Sequence, residues 1–531
     1  MAEAFVRGAE EQVIASVKHF AANSIEDERF SVNVTLDERT LREVYLLHFK
    51  HAIDAGAGSI MTAYNKVNGS YCAENKHLLS DILKGEWGFK GFVESDWVLG
   101  TRSTIGSAMA ALDIEMPGAL FYGDDLSTAV KKGEIPESII DDHARRTLRA
   151  RFQFGIFDGL TTPDPSVVES ADHVLLARQV EEEAIVLLKN DGALPLVEGT
   201  VHTIAVVGPM ADLANLGDGG SSQVTPSSAV TPLQGIVHHA GAIAIDHVAT
   251  SSLSTADLQR IASADAAIVV AGLTAKDEGE NSFRGVGDRK TLALSDAQNA
   301  MIANVARSNA HTIVVLEGSG VVLVEPWIDL VKGLVLAWYP GMEGGEAIAE
   351  VLFGEVNPSG KLPVTFPKTE DQLPPFIHDQ TEVTYDYYHG YRLLDRNQTT
   401  PRFPFGFGLS YTTFAYANLA LDKSAVTPDG EVTVSADVTN TGKVAGDEIA
   451  ELYVGFIGSA VDRPARTLLG FSRVHLEPGE TKTVHMTVPA SDLAYWSMDQ
   501  DRWVIEAIDY SVEVGSSSRD RPLAGRFSIP R

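Results

Sequence analysis

Apolar residues along the first 160 positions come in short runs of strand length separated by amphipathic stretches. SVKHFA (16–21), GSIMTAYN (58–65), GFVESDW (91–97) and ALDIEM (111–116) read as strands. Between them, Leu41, Val44, Tyr45, Phe49, Ala52 and Ile53 fall on one helical face, and NKHLLSDILKG is a helix opened by Asn75 and closed by Gly85. Alternation of this kind predicts parallel strands with right-handed crossovers. After a linker, TTPDPSVV (161–168), the alternation resumes. HTIAVVGP (202–209), DAAIVVAGL (265–273), HTIVVLEGSG (311–320) and KGLVLAWYP (332–340) are continuous apolar runs, as expected of strands covered on both faces.

The pattern changes again near residue 370. Residues 371–414 have little periodicity and many aromatics, and read as a connector packed on a surface. From 415 to 531 the period becomes two. Val432, Val434, Ala436 and Val438 alternate, as do Val484, Met486 and Val488, with turns such as EPGE between them. That spacing predicts a β-sandwich. The expected fold class is therefore α/β multidomain. Its regions are a partial barrel (1–160), an α/β sandwich (169–370), the connector and the β-sandwich (415–531).

Composition adds limits. The 531 residues are too many for one core. A formal charge of −30 repels phosphate backbones and anionic lipid, so neither nucleic acid nor a membrane is an expected partner. One cysteine, Cys72, permits no intrachain disulfide and suits a reducing cytoplasm. The opening MAEAFVRGAEEQ lacks the apolar core of a signal peptide.

Four stretches offer chemistry. In VESDWVLG, Asp96 ends a strand and is followed by Trp97. Carboxyl ends of parallel barrel strands face the active site. There an indole packs on a pyranose while the carboxylate meets the anomeric carbon; the competing reading makes Asp96 a helix N-cap. Lys18 and His19 end another strand and suit hydroxyl binding, although a surface pair is the plainer reading. The EDER run behind them reads as a solvated helix face. Tyr64 and Asn65 end a third strand; Tyr64 either reaches a carboxylate or is a half-buried core residue, and Asn68-Gly69 is a turn signal. Finally AGLTAKDEGENSFRGVGDRKTL carries Asp277, Glu278, Glu280 and Asp288, with Asp265 just before it. It is either a solvated acidic loop or one that delivers a carboxyl to a cleft. GDGGSSQVTP (217–226) has no Gly-Lys-Ser/Thr and reads as a flexible loop rather than a phosphate cradle. No zinc, EF-hand or nucleophile-elbow pattern occurs, so no metal or cofactor is expected.

Taken together, KHFAANSIEDER, GSIMTAYNKVNG, EWGFKGFVESDW, EEAIVLLKNDGALPL, AWYPGMEGGEAIAEVLFGEVNPSGKLPVTFP, FPFGFGLSYTTF and LEPGETKTV resemble glycoside hydrolase family 3 over essentially the whole chain. The resemblance implies a (β/α)8 barrel, an α/β sandwich and a fibronectin-like sandwich. It implies a retaining β-glycosidase, with β-glucosidase the foremost reading, acting on a small β-glycoside or oligosaccharide. Asp96 is then the nucleophile, Lys18 and His19 hold hydroxyls, and Tyr64 and Trp97 line the sugar site. The acid/base of the DEGEN stretch is Glu280, with Glu278 the alternative. KHFAANS replaces the KHFPGHG-type loop of the family's N-acetylglucosaminidases, which disfavours a histidine mechanism.

The first region departs from the family. A full barrel takes about 250 residues, and the KHF motif, normally midway, begins at residue 18. The earlier strands, with a sugar-binding aspartate and an RNxE-type arginine, have no counterpart. The expectation is the C-terminal half of a barrel, explained by a truncated reading frame before a fragment completed by another chain or a decayed enzyme. The open edge of such a half invites a homo-oligomer. The competing class is a carbohydrate-binding homologue without turnover.

Overall fold

The computed structural model describes residues 1–159, 164–280 and 287–531. They form two compact units. The first gathers 1–159 with two later segments, Ile377–Tyr387 and Tyr495–Val504; the second holds the remainder.

In the first unit β1 (Ser16–Phe20), β2 (Ser59–Thr62) and β3 (Phe92–Glu94) form a parallel sheet in the order β1-β2-β3. Ile60 faces Val17 on one side and Val93 on the other. The fourth expected strand, 111–116, shrinks to a single bridge between Glu94 and Ile114. The reason is Asp113, whose carboxylate accepts the Val93 N–H at 2.7 Å and so does the work of a ladder bond. Lys84 donates to the same carboxylate at 2.7 and 2.8 Å, a buried ion pair beneath the sheet.

The helix expected around residues 41–53 is present, with a shifted face. Leu41–Leu46 is a π-helical turn between α-helical segments Glu38–Thr40 and Leu47–Asp54. With i→i+5 bonding, Leu41 and Leu46 both point inward and are fully buried, while Val44 and Tyr45 stay half-buried. The next helix, His77–Glu86, runs through Gly85, and the left-handed residue that follows it is Gly88 (φ +63°). Asn75 accepts the Leu78 N–H at its start, as expected. Asn68-Gly69 makes the predicted turn, with both φ positive, between Lys66–Val67 and Ser70–Tyr71.

The two late segments are bonded into this unit. Strand Glu382–Thr384 pairs in parallel with Asn33–Thr35. Glu43 accepts the Trp496 N–H at 2.7 Å and the Tyr387 hydroxyl at 2.5 Å, while the Arg42 guanidinium lies 3.6 Å over the Trp496 ring.

In the second unit, β4 (Val186–Asn190), β5 (Thr203–Val207), β6 (Ala244–Val248), β7 (Ala266–Gly272), β8 (Thr312–Glu317) and β9 (Gly333–Trp338) form one sheet. Its order is β4-β9-β8-β7-β5-β6, parallel except for β4. Alternate residues feed two cores: Ala267, Val269 and Ala271 pack on one face of β7, Ala266, Ile268 and Val270 on the other. Helices α1 (Ala171–Ala184), α2 (Pro232–His239) and α3 (Gly344–Phe353) belong to this layer. The chain goes from β5 out to β6 and returns to β7 on the other side of β5. The β5/β7 boundary is thus a topological switch point, where loops at the strands' carboxyl ends part and leave a crevice.

The same unit ends in a sandwich. One sheet is β10 (Phe414–Leu421), β11 (Glu431–Asn440) and β14 (Thr481–Pro489); the other is β12 (Gly446–Ile457), β13 (Thr467–Leu476), β15 (Asp509–Gly515) and β16 (Leu523–Ser528). The sheet orders are β10-β11-β14 and β13-β12-β15-β16. All the alternating residues picked out in the sequence, from Val432 to Val488, are buried in its core.

Candidate functional site

Candidate residues fall in both units and are described unit by unit. In the first, Lys18 and His19 lie near the carboxyl end of β1, Tyr64 two residues past β2 and Asp96 two past β3. His19 Nε2 stands 3.4 Å from Asp96 Oδ2. The other carboxylate oxygen accepts the Trp97 N–H at 2.7 Å. Asp96 is only 7% exposed, and its neighbour Trp97 is 47% exposed. Lys18 is exposed beside them in sequence, and the Lys18–His19 and Phe20–Ala21 peptide bonds are cis.

Several local devices hold that aspartate. Ser95 is fully buried; its hydroxyl donates to the Asp96 carbonyl at 2.9 Å and accepts the Met116 N–H at 2.9 Å. A Cβ on Gly100 would sit 2.4 Å from the Asp96 carbonyl oxygen, so the turn after Trp97 closes only with glycine there. Asp96 is not a helix cap: the next helix, Thr104–Met109, is capped by Ser103, whose hydroxyl accepts the Gly106 N–H.

Tyr64 donates to the Trp97 carbonyl at 2.7 Å. Its hydroxyl therefore fixes the backbone next to Asp96. The expected solvated EDER face is a turn instead, and one of its residues was missed as a site component. Arg29 is buried, paired with Glu26 at 2.6 Å, with its guanidinium 5.3 Å over the Tyr64 ring and 4.8 Å over Phe30. A signal was present: Phe30 follows Arg29 directly, and aromatic faces attract guanidinium groups.

In the second unit the acidic loop leaves β7 at the switch point. Its carboxyls have different jobs. Asp277 turns back on Thr274, accepting its N–H and hydroxyl at 3.0 Å each. Glu278 is buried, at 6% exposure. One of its oxygens accepts the Tyr339 hydroxyl at 2.7 Å and the Ser319 N–H at 2.8 Å; the other faces Arg289 Nε at 2.8 Å. Burial first, and then this bond to Glu278, pushes the Tyr339 hydroxyl well above its ordinary value. Asp265 belongs elsewhere: it precedes β7 and accepts the His202 and Thr203 N–H groups at the opposite end of the strand.

Glu280 is half-buried on the loop's surface. Its N–H is 3.2 Å from both Asp218 carboxylate oxygens, and its own carboxylate accepts the Ser221 N–H. The GDGGSS stretch, read above as a flexible loop, is therefore the seat of this glutamate. Close approach explains its glycines: a Cβ on Gly220 would lie 2.4 Å from Glu280 Cβ, and one on Gly279 2.1 Å from Asp218 Oδ1. Residues 281–286 of the acidic loop lie outside the described residues.

Comparison with known proteins accords with this architecture. Residues 1–150 match the glycosyl hydrolase family 3 N-terminal domain, 185–411 its C-terminal domain and 448–518 a fibronectin type III-like domain. The chain is 37% identical to thermostable beta-glucosidase B of Acetivibrio thermocellus, over 98% of this chain and 70% of that one. It is 34% identical to beta-glucosidase BoGH3A of Bacteroides ovatus, over 97% of this chain and 75% of that one. Among solved structures, beta-D-glucoside glucohydrolase from Trichoderma reesei superposes with a TM-score of 0.91 at 31% identity, covering 99% of this chain and 80% of that one. Beta-glucosidase 3B from Thermotoga neapolitana, in complex with glucose, gives 0.89 at 32% identity, covering 100% and 79%. Fold and relatives define an enzyme that cleaves glycosidic bonds. The chain belongs to glycoside hydrolase family 3.

Proposed function

We propose that the chain is an exo-acting, retaining β-glucosidase with Asp96 as nucleophile and Glu280 as acid/base. The observation that carries this is Asp96 itself. It is a nearly buried carboxylate at the carboxyl end of a parallel strand, with an imidazole 3.4 Å away and an exposed indole next in sequence. Carboxylate, hydrogen-bonding ring and apolar platform are what one end of a pyranose requires.

In the first step an Asp96 oxygen bonds to the anomeric carbon as the glycosidic C–O bond breaks, and Glu280 gives its proton to the departing oxygen. In the second, water attacks the same carbon, Glu280 takes the water's proton, and the ester bond to Asp96 breaks. Glucose leaves with its configuration retained and both carboxyl groups return to their starting states. Retention generally uses two carboxyl groups about 5–5.5 Å apart. Lys18 and His19 bind sugar hydroxyls in this reading, Trp97 packs on the ring, and Tyr64 positions the Trp97 backbone. Glu280 is favoured over Glu278 because both oxygens of Glu278 are committed to Arg289, Tyr339 and Ser319. A cytoplasmic setting goes with the reading, since the one cysteine is a buried free thiol. Among the described residues, no helix is long and apolar enough to cross a membrane.

The test is hydrolysis of an aryl β-glucoside by the purified chain. Asp96→Asn is expected to abolish turnover and leave cooperative unfolding in place. Near-normal hydrolysis by that variant removes Asp96 from the role. Glu280→Ala should slow natural glucosides by about 10²–10⁴-fold, activated aryl glucosides far less, and added azide should restore rate. Sugar binding without any turnover by the unaltered chain would support a binding protein instead.

A further inference from the structure

Two carboxyl groups sit in the second unit with no base against them among the described residues. Glu317, the last residue of β8, is 0% exposed, and neither of its carboxylate oxygens has a hydrogen-bond partner. Glu181, on α1, is buried with one oxygen unpartnered, and the charge of Glu317 bears on it. Among the described residues, burial and the Asn215 amide are what bear on the Glu317 carboxyl. Its strand neighbours are Gly272 of β7 and Trp338 of β9, and the loop after β5 brings the Asn215 amide. A carboxyl group buried with no cation against it favours its neutral form, even beside an amide such as that of Asn215, and a second acid nearby reinforces that preference.

The position of Glu317 gives this a use. Its carbonyl accepts the N–H of Leu273, the residue that opens the loop bearing Glu280. The Asn215 side chain donates to the Leu273 carbonyl at 2.9 Å. Two residues beyond Glu317, Ser319 donates to Glu278 within that same loop. The root of the loop is thus bonded to the buried acid's own carbonyl and, through Glu278, to the backbone two residues beyond it.

We propose that Glu181 and Glu317 are a proton-holding pair, neutral in the working enzyme, that anchors the base of the Glu280 loop and loosens it when the pair ionises. Glu317 is a positioning residue here. The link to catalysis rests on the reading of Glu280 as acid/base; the titration of the pair does not. Burial pushes Glu317 up to about 8, and burial reinforced by the charge of Glu317 pushes Glu181 well above its ordinary value.

The sign follows from linkage. An acid raised in the folded state favours folding fully below its unfolded value, here 4.5, and that contribution is lost as pH rises through about 8. Glu317→Gln keeps the shape and cannot ionise. Its melting temperature relative to the unaltered chain is expected to climb steadily between pH 4.5 and about 8 and then level off. The ratio of its kcat/KM to that of the unaltered chain should rise severalfold over the alkaline part of that range. Should Glu317→Gln fail to fold, Glu181→Gln removes the other half of the pair and should move the alkaline loss of stability to a different pH.

A melting-temperature gap that is flat across the whole range overturns the proposal. So does a melting temperature of the unaltered chain that rises with millimolar calcium or sodium chloride while that of Glu317→Gln does not, since the pair would then hold a cation. A widening stability gap with an unchanged kcat/KM ratio overturns the link to the loop. Azide rescue of Glu280→Ala decides the acid/base reading separately.

Discussion

Arg289 Nε lies 2.8 Å from one carboxylate oxygen of Glu278, and the Tyr339 hydroxyl 2.7 Å from the other. This arrangement separates two glutamates that stand two residues apart. Glu278→Gln leaves Arg289 facing a neutral amide in a mostly buried place. Breaking a buried pair in this way costs about 3–5 kcal/mol, to be read from urea unfolding. Activity should fall with stability, and azide should not restore it. Azide rescue of Glu278→Ala in place of Glu280→Ala would move the acid/base to position 278.

Gly220 supplies a smaller probe of the same loop. The added methyl of Gly220→Ala meets Glu280 Cβ at 2.4 Å, so one of the two loops must shift. Displacing a catalytic group by about 1 Å costs on the order of 10² in rate. The expected result is that loss in kcat, with the unfolding midpoint little changed. Unaltered kcat would mean that the seat of Glu280 has no bearing on turnover.

Beneath the first sheet, Lys84→Met should strand Asp113. Burial already raises that carboxyl to about 6 against the pull of Lys84. Without its partner, charging it costs about 3–5 kcal/mol. Its ordinary value is 3.8, so the raised folded-state value means stability present below 3.8 is lost as pH rises through about 6. The variant should therefore be close to the unaltered chain at acid pH and clearly weaker at pH 8. Equal midpoints at both pH values would contradict this.

His239 bridges two carboxylates. Its Nδ1 is 2.8 Å from Glu355 and its Nε2 2.8 Å from Glu346. A neutral imidazole has only one N–H, so both bonds need the protonated ring. Burial opposes that charge, but the bonds to Glu355 and Glu346 outweigh it and raise the histidine above 6.5. The added stability is full below pH 6.5 and fades as pH passes the raised value. His239→Gln should lower the melting temperature by roughly 1–3 °C at acid pH, allowing for solvent screening. The difference should shrink as pH rises well above 6.5, and a pH-independent difference would show that the ring contributes only packing.

What could be read beforehand follows from how far each signal depends on neighbours. Val432, Val434, Ala436 and Val438 announce a half-buried strand because their alternation is local. The apolar runs of β5, β7, β8 and β9 announce covered strands for a similar reason. β6 went unread: as an edge strand it carries Asp246 and His247, half-exposed, and looks like a loop. The π turn at Leu41–Leu46 moved the buried face because one extra residue per turn leaves no mark in the pattern. In the site, Asp96 and Trp97 stood out through their place at a strand end. Arg29 looked like surface because it ends an acidic run and the Tyr64 face over it comes from a distant strand end, although Phe30 beside it hinted otherwise. The separate duties of Glu278 and Glu280 depend on Arg289, Tyr339 and Ser221, which only folding brings near.

The hairpin of Tyr495–Ser497 and Arg502–Val504 belongs with the first unit, although more than three hundred residues separate it from the helix whose Arg42 it covers. A ribosome makes residues 16–97 tens of seconds before it supplies Trp496, at usual elongation rates. Until then Arg42 and Glu43 wait without their indole cover and backbone donor. Nascent chains of this enzyme therefore complete this unit only after most of the sandwich has been made, and a stop codon placed before residue 495 harms the unit around Arg42 as well as the sandwich.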